Sequence, residues 1–104
     1  MFEAIKNLLG IGSKTGFAQL VKNGAVILDV RTKGEFQGGH IKGAINIPVD
    51  QLRSNLDKLK DKTKPIITCC ASGMRSASAR AVLLSCGYAE VYNGGGWQSL
   101  RNKI

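Results

Sequence analysis

Aromatic residues are few in this chain, 6% of 104 residues, and none stands within its one mild lysine cluster at Lys58, Lys60, Lys62 and Lys64. Nucleic-acid grooves combine basic residues with aromatic faces on which bases stack, so no nucleic-acid partner is expected. Acidic residues are scarce too: 7 against 15 Lys and Arg, for a formal net charge of +8. With the lysines scattered, that excess reads as a solvated basic exterior that attracts anions in general. Long apolar runs are missing. No segment is long enough to cross a bilayer. In residues 1–9, Glu3 and Lys6 interrupt Phe2, Ile5, Leu8 and Leu9, too few apolar residues for a secretory signal, although a short amphipathic helix packed on the domain suits them equally. No membrane association and a cytoplasmic location are therefore expected.

Three cysteines, two of them adjacent, do not make a disulfide framework; they read as reduced thiols, because a vicinal bridge would close a strained ring. Repeats, low-complexity tracts and linkers are absent. With 43% hydrophobic residues, the chain is expected to form one small domain, with residues 1–14 as an extension or short helix and residues 15–104 as the core.

What is present alternates between two periods. Residues 15–22 carry Phe17, Leu20 and Val21 at helical spacing and stop at Asn23-Gly24. Residues 25–30 are apolar up to Asp29 and suit a central parallel strand. Residues 31–39 read as a loop or one helical turn around Glu35 and Phe36, and 45–47 as a short strand ended by Pro48. Asp50 is a plausible N-cap for a helix with Leu52, Leu56 and Leu59 on one face. Residues 65–69 form the next buried strand. Residues 77–86 form a helix with Ala79, Val82, Leu83 and Cys86 on one stripe and Gly87 beyond its end. Val91 and Tyr92 make a last strand, and Gly94, Gly95, Gly96 and Trp97 a loop. The implied class is α/β, a small parallel sheet with helices on both faces, whose ligands sit beyond the carboxyl ends of the strands. Asp29, Arg31 and Cys70 all lie there.

The loop Cys70-Ala71-Ser72-Gly73-Met74-Arg75-Ser76 joins a strand to a helix N-terminus. Unpaired amides and the positive end of the helix dipole would there stabilise an anionic sulfur. Gly73 permits a positive φ, and the loop can wrap as a nest around a thiolate or the outer sulfur of a persulfide. Cys70 is the candidate nucleophile.

Four ordered motifs carry a resemblance. Leu28-Asp29-Val30-Arg31 with Glu35-Phe36, then Gly39-His40-Ile41-Lys42-Gly43-Ala44-Ile45-Asn46-Ile47-Pro48, then Cys70-x-x-Gly73-x-Arg75-Ser76, and finally Val91-Tyr92-Asn93-Gly94-Gly95-Gly96-Trp97 resemble the successive signatures of single-domain rhodaneses, the thiosulfate or sulfane-sulfur transferases. The resemblance implies a rhodanese-like fold, in which Cys70 attacks the outer sulfur of a donor such as thiosulfate, releases sulfite and keeps a persulfide. Ala71, Ser72, Gly73, Met74, Arg75 and Ser76 would form the substrate-binding loop, with Asp29, Arg31 and Glu35 in support. The acceptor would be cyanide in an assay and a small thiol or protein thiol such as thioredoxin in the cell, with no metal or organic cofactor.

Other readings of the same residues stand beside this one. Counted from Cys69, the C-x5-R-[ST] pattern of cysteine phosphatases and arsenate reductases is met, but Thr68 stands where many of them carry histidine, and Ser72 where they carry glycine. A carrier that relays persulfide between proteins without turning over thiosulfate is a third reading. Cys69 is either the end of a buried strand or a resolving thiol, and Cys86 belongs to the core. Asp29 and Arg31 either brace the loops or contact substrate, with Glu35 joining the brace. Arg75 either binds a sulfonate or pins the loop through an acidic neighbour. His40 reads as a turn stabiliser, Trp97 as a core cover or a lining of the pocket mouth, and Met74 as facing solvent or an entering acceptor. Gly10, Gly12, Ser13 and Lys14 lack the spacing of a phosphate loop.

Overall fold

The structure is a computed structural model that describes residues 14–104. Helix α1 (Lys14–Lys22) leads into β1 (Val26–Asp29), the short helix α2 (Lys33–Gln37) and β2 (Ile45–Asn46). Two 3-10 segments, Val49–Gln51 and Arg53–Lys58, precede β3 (Ile66–Cys70), α3 (Met74–Ser85), β4 (Val91–Gly96) and α4 (Trp97–Arg101). The four strands are parallel in the order β2-β1-β3-β4, so the apolar strands β1 and β3 occupy the centre. The expectations for residues 1–13, including Gly10 and Gly12, fall outside the described residues. Among the described residues no helix is long and apolar enough to cross a membrane.

Strand alternation divides the core in two. Leu28, Ile66 and Cys70 face one side, beneath Leu52 and Leu59, which flank the 3-10 segment Arg53–Lys58, and Ala79 and Leu83 of α3. Ile27, Ile67 and Cys69 face the other, beneath Phe17 of α1 and Leu100 of α4. Helices thus cover both faces, as the apolar runs of β1 and β3 require.

Several elements differ from their sequence reading. The helix expected from Asp50 is two 3-10 segments, with Pro48 rather than Asp50 in the N-cap position and a non-helical φ of −127° at Asn55. The Asn55 side chain donates to the Gln51 carbonyl at 2.8 Å, the acceptor that its own amide would use in an α-helix, and that amide turns to Leu52 instead. Leu52 and Leu59 are buried nonetheless. Strand β3 runs one residue further than expected and ends on Cys70. Helix α3 begins at Met74, not residue 77, because Gly73 at φ +107° turns the chain directly into it. At its far end Gly87 (φ +94°) donates to Leu84 and Tyr88 donates to Leu83, closing a Schellman motif. Strand β4 continues through the three glycines that read as a loop. A Cβ at Gly94 would lie 2.8 Å from Ile67 Cγ2 and 2.9 Å from the Thr68 carbonyl, so the close approach expected of these glycines occurs within the sheet.

Candidate active site

Cys70 sits where β3 meets α3, with its residue only 1% exposed. The Gly73 amide donates to its Sγ at 2.9 Å and the Ser76 amide at 3.4 Å, while the Ser76 hydroxyl lies 3.4 Å away. Ser76 is the third residue of α3, so its amide is one of the donors that a helix start leaves without a backbone acceptor; the sulfur takes that place. Burial pushes the thiol up, but the Ser76 hydroxyl and the amides of Ser76, Gly73 and Ser72 outweigh it and leave Cys70 below its ordinary value. Ala71, Ser72 and Met74 are exposed and set the solvent boundary here, Met74 at 80%. Of the expected nest, the amides of Gly73 and Ser76 reach the sulfur, and Met74, Arg75 and Ser76 are helix rather than loop.

The neighbouring thiol is different. Cys69 is fully buried on the opposite face of the sheet, and burial, then Asp29, push it up to about 12. A strand directs consecutive side chains apart, so Cys69 belongs to the apolar core. The C-x5-R reading counted from Cys69 would put its nucleophile there, away from the amides. Cys86 is partly buried against the core stripe of α3.

Asp29 and Arg31 form a buried bidentate pair, with Nη2 to Oδ2 at 2.7 Å and Nε to Oδ1 at 3.0 Å. Arg31 also donates to the carbonyls of Gly39 (2.7 Å) and Glu35 (3.3 Å), and its guanidinium lies 4.6 Å from the Trp97 ring centroid. That geometry is a brace between loops. Only the backbone of Glu35 joins it. The Glu35 carboxylate instead pairs with Arg75 at 2.7 and 3.0 Å, and Arg75 followed by the backbone amide of Thr32 holds it down at about 2. Within α2, Glu35 also closes a capping box with Thr32, so one carboxylate both starts α2 and pins the first turn of α3. Arg75 thus pins the loop.

His40 donates from Nδ1–H to the Phe36 carbonyl at 2.7 Å and stacks on the Phe36 ring, which places it in the turn. Trp97 packs against the core face shared by Cys69 and Leu100. Among the described residues no group of three His, Cys, Asp or Glu converges to hold a metal ion. A cavity of about 600 Å³ lies along Thr32, Phe36, Asn46 and Pro48 and is not lined by Cys70.

Sequence reasoning missed three contributors. Asn93 accepts the Ser76 hydroxyl at 2.6 Å and donates to the Gly73 carbonyl at 3.3 Å. Thr68 donates from within the core to the Ser76 carbonyl at 2.9 Å. Asn46 bridges the carbonyls of Asp29 and Arg31, both at 3.0 Å. Asn46 and Asn93 stood in the quoted motifs without a role, and the remaining signal was a polar residue inside a strand, where a partner must exist.

Comparison with known proteins agrees with this geometry. A family model described as a rhodanese-like domain matches residues 13–103. The uncharacterized protein YqhL of Bacillus subtilis is 40% identical over 81 residues, which cover 77% of this chain and 64% of that protein. The match therefore spans slightly less than two thirds of that relative. The thiosulfate sulfurtransferase PspE of Escherichia coli is 32% identical over 74 residues, covering 70% of this chain and 71% of that one. The human single-domain sulfurtransferase TSTD1 superposes with a TM-score of 0.72 at 28% identity, covering 84% of this chain and 89% of its own.

Proposed function

This chain belongs to the rhodanese-like domain family, and on that premise we propose that it is a sulfurtransferase working through a persulfide on Cys70. The observation that carries the reading is the Sγ of Cys70 held by the Gly73 and Ser76 amides. A sulfur so held is favoured as thiolate, the form that attacks. The thiolate attacks the outer sulfur of thiosulfate; the S–S bond breaks, sulfite leaves with the bonding pair, and a Cys70 persulfide remains. Its terminal sulfur is anionic and suits the same amide donors. A nucleophilic acceptor then attacks that terminal sulfur and the Cys70 thiolate returns, thiocyanate forming from cyanide and a new persulfide from a small or protein thiol.

The net charge of +8 favours encounter with an anionic donor. Sulfur carries the electrons throughout, so the cycle requires no cofactor.

Intact-mass spectrometry after thiosulfate treatment tests this reading. The parent protein and Cys69→Ser should each gain the mass of one sulfur atom, removable by cyanide, and Cys70→Ser should gain none. Loading of Cys70→Ser would overturn the assignment. Loading of the parent only from a persulfidated protein, and never from thiosulfate, would favour the carrier reading.

A further inference from the structure

The Ser76 hydroxyl has one proton and three acceptors within reach. Asn93 Oδ1 lies at 2.6 Å, the Gly73 carbonyl at 3.0 Å and Cys70 Sγ at 3.4 Å. While Cys70 is a thiol, its own S–H can point to Ser76 Oγ and the hydroxyl proton rests on Asn93. A thiolate can only accept, so a hydrogen bond between the two then requires the hydroxyl to turn to the sulfur and leave Asn93. Asn93 Oδ1 is not orphaned by this, because the Gly95 amide donates to it at 2.9 Å.

We propose that Asn93 is a positioning residue that sets how the single Ser76 proton is shared between Cys70 and the β4 strand, and so tunes the reactivity of the nucleophile. The proposal rests on Cys70 being that nucleophile. In the loaded state the anion moves to the outer sulfur, the inner sulfur becomes a weak neutral acceptor, and Asn93 takes the hydroxyl back. Its side-chain amide meanwhile holds the Gly73 carbonyl at 3.3 Å, keeping the loop in register with β4 through both states. The charged groups nearby are committed elsewhere: Arg75 of α3 to Glu35 of α2, and Asp29 of β1 to Arg31. Cys69, on the same strand, faces the other side of the sheet. Strand β4 carries no charged residue and brings only the Asn93 amide to Ser76.

The test is the pH dependence of iodoacetamide alkylation, read by mass spectrometry at Cys70, in the parent, Asn93→Ala, Ser76→Ala and the double variant. It requires no sulfur transfer, so it stands apart from the loading experiment. With the competing acceptor removed, Asn93→Ala should lower the midpoint by about half a pH unit, and Ser76→Ala should raise it by a similar amount, the scale of one redistributed hydrogen bond. In the Ser76→Ala background the Asn93 effect should vanish. A raised midpoint in Asn93→Ala, or an equal shift with Ser76 absent, would mean that Asn93 merely supports the loop. Should Asn93→Ala not fold, Asn93→Asp keeps the shape and holds the hydroxyl more tightly. Its midpoint should then rise further with Ser76 present than absent, and an equal rise overturns the proposal.

Discussion

Cys69 and Cys70 differ by one position and by nearly everything that governs a thiol. Cys70 meets donors, while Cys69 packs among apolar side chains, with Asp29, Arg31 and Cys70 acting on it electrostatically. At neutral pH, alkylation should therefore modify Cys70 and leave Cys69 unlabelled until the fold opens; early labelling of Cys69 would contradict its placement. The same contrast appears in stability. A thiol whose folded value is raised from 9.0 to about 12 favours the fold fully below pH 9, and that contribution is lost as pH rises toward 12. Tyr92, pushed up to about 12 by burial and then Glu90, acts in the same direction. Denaturant titrations should thus show Cys69→Ala losing less stability than the parent across that alkaline window. Glu35 works oppositely: its folded value falls from 4.5 to about 2, so its contribution is present above 4.5 and lost as pH falls toward 2. Glu35→Gln should flatten the acid limb of the stability profile. An unchanged acid limb would show the Arg75 pair to be idle.

At the scale of elements, the turn that carries Cys70 depends on glycines that let two backbones meet. Gly73 combines φ +107° with a would-be Cβ 3.4 Å from Gly95 Cα, and its amide is the nearest donor to the sulfur. Gly73→Ala should destabilise by about 1 kcal/mol or more and slow Cys70 alkylation at neutral pH. Gly94→Ala should destabilise by about 1–3 kcal/mol, from overpacking against Ile67 and Thr68, with the alkylation midpoint of Cys70 less affected. Chemical denaturation beside alkylation kinetics separates the two. Element types were legible wherever a full period was present, as in β1, β3 and the Ala79–Leu83 stripe of α3. They failed at Asp50, where one Asn55 side chain takes the carbonyl that an α-helix needs. Met74-Arg75-Ser76 read as loop because it carries no apolar stripe: Met74 faces solvent and only Ser76, a polar residue, is buried, against the sulfur.

Across the whole molecule, Arg31 ties the end of β1 to the carbonyls after and within α2 and to Trp97 of α4. At 4% exposure it cannot be left unpaired cheaply, so Asp29→Ala should cost about 3–5 kcal/mol, measured by urea denaturation. A loss below 1 kcal/mol would show that the pair is not a brace. The basic exterior makes a kinetic prediction: loading by thiosulfate should slow as ionic strength rises and the screening length shrinks to about 8 Å at 0.15 M. A rate insensitive to salt would remove long-range steering from the account.

By itself the sequence determined the parallel α/β architecture, the two-sided core and the strand-to-helix junction that carries Cys70, because periodicity, glycine placement and local motifs are properties of neighbours along the chain. Only the tertiary structure decided that Glu35 answers Arg75, that Asn93 and Thr68 hold Ser76, and that two adjacent thiols face opposite sides of one sheet. Those pairings join residues far apart in the chain or depend on where a strand ends, and side-chain direction in such cases is set by packing in three dimensions.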